Sequence, residues 1–467
     1  MRDDVLEHRR LIVSGPIDRA ILHLGVPAAT AALLQAGFLI VDTFWLGRVG
    51  AVALAAASTA GFVMWLAQTL GEGLASGSGA VLAAAVGAGD RAAVDRAASA
   101  GQALAAWGSI SVLGVGLWFA SPVFRFMGTS DQVTSAGLTY LVVILFGMPA
   151  YFLFAWISAV FRAVGDATTA LRLLALGAVV NVVLDPVLIF GVGPVPALGV
   201  GGAAAATVCS WLVAFARGWW MLGRLGVRPG ATDLVRPPRE ESWQALKVGL
   251  PLGLEGALFS LIYIVLTRFT TLFGTDAVAA LGVGHKLEVF NYFVCAGMGA
   301  AATTLVGQNL GAGDPARAGR SAWRTLFLTT LPVGVVTGLL VLFPEAAVAV
   351  FIPDPDVVAA GVTYVLLVGL SQVFMATEVV LLGAFAGAHW TAVPATVEIG
   401  FTAARIPLAF HLVQQGWGVE GVWFAIAVTT VIKGSVLAVL FAAQQSRMIR
   451  ASERMPYNDS ESEGGTT

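Results

Sequence analysis

Long apolar stretches alternate with short polar connections along most of the chain. Twelve of these stretches are long enough to cross about 30 Å of bilayer hydrocarbon as helices, which takes roughly 20 residues each. They lie near residues 20–45, 52–86, 97–120, 134–161, 168–190, 199–222, 245–272, 277–310, 322–343, 357–386, 391–414 and 418–443. Strand-length segments of alternating polarity do not separate them. The pattern therefore predicts an all-α polytopic membrane protein with twelve transmembrane helices, and not a membrane barrel.

The longest polar connection divides the twelve stretches into two sets of six. It covers residues 223–243 and contains three prolines and a cluster of charges. The predicted boundaries are 1–19 for a cytoplasmic N-terminus, 20–222 for a first six-helix bundle, 223–244 for a cytoplasmic linker, 245–443 for a second bundle and 444–467 for a cytoplasmic tail. Within the tail, the polar residues 456–467 are predicted to be disordered.

Lysine and arginine residues concentrate in every second connection. One side of the predicted topology receives 20 of the 26 basic residues, whereas only Arg48 and Arg125 lie on the other side. The remaining four lie within or at the ends of apolar stretches: Arg268, Lys286, Arg405 and Lys433. Because basic residues are retained in the cytoplasm, we expect both termini to be cytoplasmic and the protein to lie in the cell membrane.

The two halves of the sequence resemble each other. A single register aligns Gly25 and Pro27 with Gly249 and Pro251, and the same register aligns the segment 87–90 (GAGD) with 311–314 without a gap. Since each half contains six spans, both halves enter the membrane in the same orientation and form a parallel repeat. Repeats of this kind are typical of transporters, whose substrate path lies between the halves.

Composition supports the same class. The chain is 57% hydrophobic and 12% charged, with a mean hydropathy of +0.83, whereas soluble domains contain about 25% charged residues. Cys209 and Cys295 both lie in apolar stretches, so neither a disulfide framework nor a thiolate metal site is predicted. The net charge of −2 gives nucleic-acid binding no electrostatic basis. We expect no cofactor.

Carboxylates inside apolar stretches are the candidate functional residues, because a charge at the bilayer centre costs several kcal/mol. Seven qualify: Asp42, Glu72, Asp185, Glu255, Glu288, Glu378 and Glu398. Asp185 shares a helix face with Asn181 four residues earlier, and Pro186 frees the carbonyl of Val182 beside it. These hard oxygens suit a proton or Na⁺. The alternative for Asp185 is local hydrogen bonding beside a proline kink.

Asp42 is the second strong candidate. Gln35 precedes it by seven residues, which places both on one helix face. In the register that aligns the two halves, Asp42 is matched by Leu266, and in a register two positions shorter Asp185 is matched by Pro407. The second half thus lacks the pair, which favours a cation site confined to the first half. The alternative for Asp42 is a position near the membrane interface without a functional role.

Glu255 and Glu378 leave two interpretations open. They are candidates for a second cation site, and they are equally suited to helix-interface hydrogen bonds or to pairing with Arg268 or Lys286. Pro27 removes a backbone hydrogen bond from the first predicted span, which weakens that helix and makes it a candidate bend, although most proline kinks in membrane helices are static.

Several motifs together resemble the multidrug and toxic compound extrusion (MATE) family. They are residues 47–58 (GRVGAVALAAAS), 181–191 (NVVLDPVLIFG) followed by 198–200 (LGV), 305–313 (LVGQNLGAG) and 405–409 (RIPLA). The similarity extends from about residue 14 to residue 446. It implies a V-shaped pair of six-helix bundles that opens alternately to either side and exports cationic or amphipathic compounds in exchange for H⁺ or Na⁺.

The resemblance is strongest to a prokaryotic branch with an acidic site in the first bundle. It implies that Asp42, Tyr140, Asn181 and Asp185 form the cation site and that Pro27 marks the bend of the first helix. In another branch the ion site uses acidic residues of spans 7 and 10. Glu255 and Glu378 lie in those spans, but they do not align with the same helical positions.

The sequence therefore predicts a secondary antiporter that works as a monomer on small-molecule substrates in the lipid bilayer, with no metal beyond a Na⁺ at Asp42 and Asp185. The first alternative is a flippase for lipid-linked precursors. It requires a strongly basic cavity, and only the four basic residues within or at the ends of the apolar stretches are available to line one. The second is an intramembrane enzyme, and the five histidines of the chain lack the HExxH spacing of a metalloprotease.

Overall fold

The computed structural model describes residues 3–127, 129–227, 229–230, 232–352 and 354–453, and within these ranges it contains fourteen α-helices and no β-strand. The predicted disordered segment 456–467 lies outside the described residues. The helices are α1 (Asp3–Ser14), α2 (Ile17–Val49), α3 (Ala51–Ala88), α4 (Arg91–Phe126), α5 (Asp131–Ala163), α6 (Ala167–Phe190), α7 (Val200–Leu225), α8 (Arg239–Thr270), α9 (Thr275–Gly311), α10 (Pro315–Leu342), α11 (Pro344–Ala349), α12 (Pro355–Gly387), α13 (Ala392–Gln414) and α14 (Glu420–Glu453).

Each of the twelve predicted spans corresponds to one of these helices. Within the described ranges, eleven are long and apolar enough to cross a membrane. The remaining one, α13, has 23 residues, which at 1.5 Å per residue span about 34 Å. It contains Glu398 and Arg405, which are buried among neighbouring helices with 1% and 3% of their surface exposed, and these two charges lower its hydropathy.

The repeated GAGD segment forms the same connection in both halves. Gly89 and Gly313 both adopt left-handed backbone conformations, with φ of 76° and 80°, which glycine tolerates without steric cost. Asp90 then accepts a hydrogen bond from the backbone N–H of Ala93 at 3.0 Å, and Asp314 accepts one from that of Arg317 at 2.7 Å. Each glycine therefore ends one helix and each aspartate caps the next, which is why the segment recurs.

The helices form two halves, α2–α7 and α8–α14. The centre of the first half is α5, whose buried side chains Tyr151, Phe152 and Trp156 pack among the surrounding helices. In the second half, α12 places Tyr364 against Trp423 of α14, with ring centroids 4.9 Å apart. Both cysteines are free thiols.

The two halves meet at one end of the molecule, where α2, α4 and α6 begin. This end contains most of the lysine and arginine residues, and we call it the basic end. Helix α3 approaches α8 and α9 backbone to backbone there: a Cβ added at Gly73 falls 2.6 Å from the carbonyl oxygen of Gly249, and one at Gly77 overlaps that of Ala245. Only glycine permits such close helix packing.

Toward the other end, which we call the opposite end, the same helices show no such close approach at their glycines. A Cβ added at Gly37 of α2, Gly61 of α3 or Gly282 of α9 has nothing within 4 Å. Large apolar side chains of these helices are exposed, including Phe62 and Leu261 at 52% each. The closest backbone approaches between the two halves therefore lie toward the basic end.

Helix α1, within the predicted N-terminal segment 1–19, joins both halves at the basic end. Arg9 donates hydrogen bonds of 3.0 Å to the carbonyl oxygens of Val86 and Gly87 in α3. Arg317 of α10 donates to the carbonyl oxygens of Ile12, at 3.0 and 3.2 Å, and Gly15. The last carbonyl groups of two helices thus receive guanidinium donors from the neighbouring segments.

Candidate functional site

Four residues predicted from the sequence come together in the first half. We call Asp42 of α2, Tyr140 of α5, and Asn181 and Asp185 of α6 the N-half cluster. Their exposed fractions are 8%, 3%, 0% and 0%. Both aspartates lie close enough to interact electrostatically with each other and with Tyr140. Asp42 lies seven residues before the end of α2, so the cluster is about 10 Å from the opposite end of the helices.

Asn181 holds Asp185 in place. Its side-chain Nδ2 donates a hydrogen bond to Oδ1 of Asp185 at 3.2 Å and a longer one to Oγ1 of Thr207 in α7 at 3.4 Å. The two α6 side chains face the same way because they are four residues apart. The sequence did not indicate Thr207 as a partner of Asn181, because threonine is common in apolar helices and the two residues are distant in the chain.

The N-half cluster retains unused hydrogen-bonding capacity. Among the described residues, Oδ1 of Asp42, Oδ2 of Asp185 and Oδ1 of Asn181 are buried without a hydrogen-bond partner. Buried polar atoms normally have one, and no lysine or arginine in the described ranges forms an ion pair with either aspartate. Three acceptors without a donor suit a proton or a small cation.

Two other predicted residues lie apart from this cluster. Gln35 is exposed on α2, and within the described part of the chain no hydrogen bond joins it to either aspartate. Pro27 lies inside α2, which continues through it as one helix. The proline leaves the carbonyl group of His23 without its helical donor, about four turns from Asp42.

The second half contains a different ionic cluster. We call Glu255 of α8, Glu378 of α12, Glu398 of α13 and Lys433 of α14 the C-half cluster. The Lys433 ammonium lies 2.5 Å from Oε1 of Glu378 and 2.7 Å from Oε2 of Glu398. It also donates a hydrogen bond to Oγ1 of Thr402 at 3.3 Å. Glu255 interacts electrostatically with both Lys433 and Glu378.

This geometry corrects part of the sequence interpretation. Glu255 and Glu378 do lie near each other. The ionic partner of Glu378 is Lys433, so of the alternatives that the sequence left open, pairing of Glu378 with Arg268 or Lys286 is wrong. Both of those side chains are exposed. The sequence placed Lys433 within or at the end of an apolar stretch but did not indicate its partner, because it lies on a different helix from Glu378 and periodicity along one helix says nothing about contacts between helices.

Arg405 is the second buried cation of this half, and hydroxyl groups surround it. Its Nε donates to Thr429 at 3.0 Å, Nη1 to Tyr263 at 2.9 Å and Nη2 to Thr430 at 2.9 Å. No carboxylate in the described ranges lies within ion-pair distance of it. The three hydroxyl acceptors lie in three different directions and hold the planar guanidinium group in place.

Two more of the seven carboxylates identified from the sequence are paired with tyrosines. Tyr151 donates a hydrogen bond to Oε1 of Glu72 at 2.9 Å, and Tyr364 donates one to Oε1 of Glu288 at 2.6 Å. These pairs satisfy Glu72 and Glu288 locally. Among the described residues, no group of three or more His, Cys, Asp or Glu side chains is arranged to hold a metal ion.

The sequence model of the MatE family matches residues 27–187 and 251–411. The chain belongs to the MatE family. The two matched segments begin at Pro27 and Pro251, which are the prolines that the alignment of the two halves pairs with each other. The family model thus matches each half of the repeat once. As a member of this family, the protein is a multi-pass membrane transporter and not an enzyme.

Curated relatives cover almost the whole chain. A probable multidrug resistance protein NorM of Thermotoga maritima is 29% identical over 91% of this chain and 92% of its own length. An FAD transporter of Shewanella oneidensis is 26% identical over 94% of this chain and 97% of its own length.

Solved structures of this family share the fold. One, described as a MOP superfamily transporter from Pyrococcus furiosus, superposes with a TM-score of 0.88 at 22% identity, covering 95% of this chain and 99% of that chain. An outward-facing multidrug resistance MATE family transporter superposes with a TM-score of 0.87, covering 94% and 98%. The family match confirms the predicted family, and these structural similarities confirm the fold of paired helix bundles.

Proposed function

We propose that this protein is a secondary antiporter that exports cationic or amphipathic compounds in exchange for H⁺ or Na⁺. It would act as a monomer in the plasma membrane, with both termini and the basic end in the cytoplasm. The observation that supports this most strongly is the N-half cluster, in which two neighbouring carboxylates are buried without a basic partner and with unpartnered oxygens. Such a site takes up and releases a cation as its surroundings change.

The proposed mechanism is alternating access. When the opposite end is open, a coupling cation from outside binds at Asp42 and Asp185 and favours release of the drug to the outside. The helices then repack so that the basic end opens, the cation leaves to the cytoplasm and a drug binds. Coupling requires that cation and drug bind the two states differently, and competition for one acidic cluster provides that difference.

The driving force depends on stoichiometry. Export against a hundredfold drug gradient costs about 2.8 kcal/mol, at about 1.4 kcal/mol per decade. Exchange of one monovalent drug cation for one H⁺ or Na⁺ moves no net charge, so the membrane potential of about 2.3 kcal/mol per charge per 100 mV contributes nothing. A gradient of the coupling ion must then supply all the energy.

The flippase alternative has less support from the geometry. A lipid pyrophosphate needs cations that are available to it, but Lys433 is paired with two glutamates and the N–H groups of Arg405 are directed to three hydroxyl groups. The N-half cluster, by contrast, has two buried carboxylates without a basic partner in the described ranges, which favours cationic cargo. The relatives named for multidrug resistance agree with this choice, and the relative named an FAD transporter supplies an anionic compound to test against it.

The test is efflux of ethidium from proteoliposomes with an imposed pH gradient or an imposed Na⁺ gradient, measured separately. We expect Asp42→Asn and Asp185→Asn each to abolish gradient-driven efflux while the purified protein remains folded. Asp131→Asn, at an exposed position in the first turn of α5, is the matched control and should transport normally. Full efflux by either cluster variant, or transport of FAD in preference to ethidium, would refute the proposal.

A further inference from the structure

Lys433 lies between two carboxylates at the centre of the second half. Its side chain has 1% of its surface exposed, and its ammonium group lies within 2.7 Å of both Glu378 and Glu398 and 3.3 Å from Thr402. An ammonium group has three N–H donors. The three oxygen atoms therefore surround Lys433 much as ligands surround a bound monovalent cation.

We propose that Lys433 is a tethered cation that takes the place of an exchangeable ion in the C-half cluster. By filling the space between Glu378 and Glu398 it prevents H⁺ or Na⁺ from binding there in exchange, and it leaves the N-half cluster as the site of coupling. This inference rests on the proposed function in one respect, since it assumes that buried carboxylates of this protein serve ion coupling.

The contacts of Glu398 support this role. Its Oε2 approaches the Lys433 ammonium without hydrogen-bond geometry, and its Oε1 is buried with no hydrogen-bond partner among the described residues. Only 1% of Glu398 is exposed. A carboxylate in this condition depends on the neighbouring charge for its ionised form. Without Lys433, Glu378 and Glu398 would face each other, and two adjacent buried carboxylates do not both stay ionised.

No other cation in the vicinity is free to replace the ammonium. Arg405 donates to the hydroxyls of Tyr263, Thr429 and Thr430. The other titratable groups that interact with Lys433, Glu378 or Glu398 are Glu255 of the same cluster and Tyr263, Tyr292 and Cys295, none of which supplies a positive charge. When Lys433 is removed, only a proton or an ion from solution is therefore available to neutralise Glu378 and Glu398.

The N-half and C-half clusters differ in the partners of their acidic groups. In the register that aligns the two halves, Glu255 is matched by Ala31 and Asp42 by Leu266, so the two clusters are not copies of each other. The acidic group of α6 has an amide as its hydrogen-bond partner, whereas Glu378 has an ammonium. An amide supplies no charge, so Asp185 has no tethered counterpart of the cation that Glu378 has.

The experiment measures cation binding without any drug. In an Asp42→Asn/Asp185→Asn background, saturable ²²Na⁺ binding at pH 8 and the Tm between pH 5.5 and 8.5 are compared for the background protein, Lys433→Met and Lys433→Arg. Lys286→Met, at an exposed lysine of α9, is the matched control. We expect Lys433→Met to gain either a single saturable Na⁺ site or a stability that falls as pH rises, because its folded form then holds an extra proton.

The background protein, Lys433→Arg and Lys286→Met should show neither gain. A folded Lys433→Met variant with no additional Na⁺ or proton binding would overturn the proposal. If Lys433→Met does not fold, Na⁺ binding is measured on the Asp42→Asn/Asp185→Asn background protein instead. Saturable Na⁺ binding that is abolished by adding Glu378→Gln contradicts the proposal, and absence of saturable Na⁺ binding supports it. Failure of the proposed function would instead appear as ion-driven efflux retained by Asp42→Asn or Asp185→Asn.

Discussion

The side-chain amide of Asn181 donates a hydrogen bond of 3.2 Å to Oδ1 of Asp185, one helical turn further along α6, and neither side chain is exposed. The amide orients the carboxylate without neutralising it. Asp185 thus keeps a defined position while its charge remains available to a cation, a requirement that a lysine partner would defeat.

Asn181→Ala should impair coupling while the fold is retained. A hydrogen bond to a charged group contributes about 1.5–3 kcal/mol, so we expect ion-driven ethidium efflux to fall by about tenfold or more. Thr207→Val removes only the 3.4 Å contact and should have a smaller effect. Proteoliposome efflux rates, normalised to the amount of folded protein, give the comparison. Equal rates for Asn181→Ala and the unmodified protein would show that Asp185 does not depend on the amide.

Gly77→Leu should prevent closure of the basic end. Any Cβ at this position overlaps the carbonyl oxygen of Ala245, so α3 and α8 cannot keep their present separation. Spin labels at residues 91 and 320, in a variant with both native cysteines replaced by alanine, should report a longer distance between the halves. Efflux should be lost, because transport needs both closed ends. Gly61→Leu on the same helix, where nothing lies within 4 Å, is the control, and an unchanged distance in Gly77→Leu contradicts the assignment.

Arg317→Ala should release helix α1. Arg317 donates to the carbonyl groups of Ile12 and Gly15, and loss of these bonds should destabilise the docked helix by about 1–3 kcal/mol. Faster hydrogen exchange in residues 3–14 is the expected result, with little change in α3 or α9. Arg320→Ala, at an exposed position one turn away, provides the comparison. Identical exchange in both variants would mean that other contacts dock α1.

Arg405→Lys should lower stability although it conserves charge. The guanidinium group reaches three hydroxyls in three directions, and an ammonium on a shorter stem does not reproduce that geometry. We expect a loss of about 1–3 kcal/mol, visible as a lower Tm in detergent. Arg268→Lys, at an exposed site of α8, should leave the Tm unchanged. A Tm for Arg405→Lys as high as that of the unmodified protein would show that the hydroxyl contacts add nothing.

The sequence by itself determined the class, the helices and one of the two clusters. Apolar length predicted each membrane helix, because a segment in hydrocarbon must satisfy its own backbone hydrogen bonds. The internal repeat predicted the paired halves, and the spacing of Asn181 and Asp185 predicted their shared face, since residues four apart on a helix are neighbours. These are local or periodic properties, which a linear pattern records.

Tertiary structure alone decided the contacts between distant segments. It showed that Lys433 meets Glu378 and Glu398, that Arg405 is held by hydroxyls of two other helices, and that α1 joins the two halves through Arg9 and Arg317. It also left Gln35 exposed while Asp42 is buried, although both lie on one helix seven residues apart. Which buried charges neutralise each other depends on how helices far apart in the chain pack together, and helical periodicity does not specify that packing.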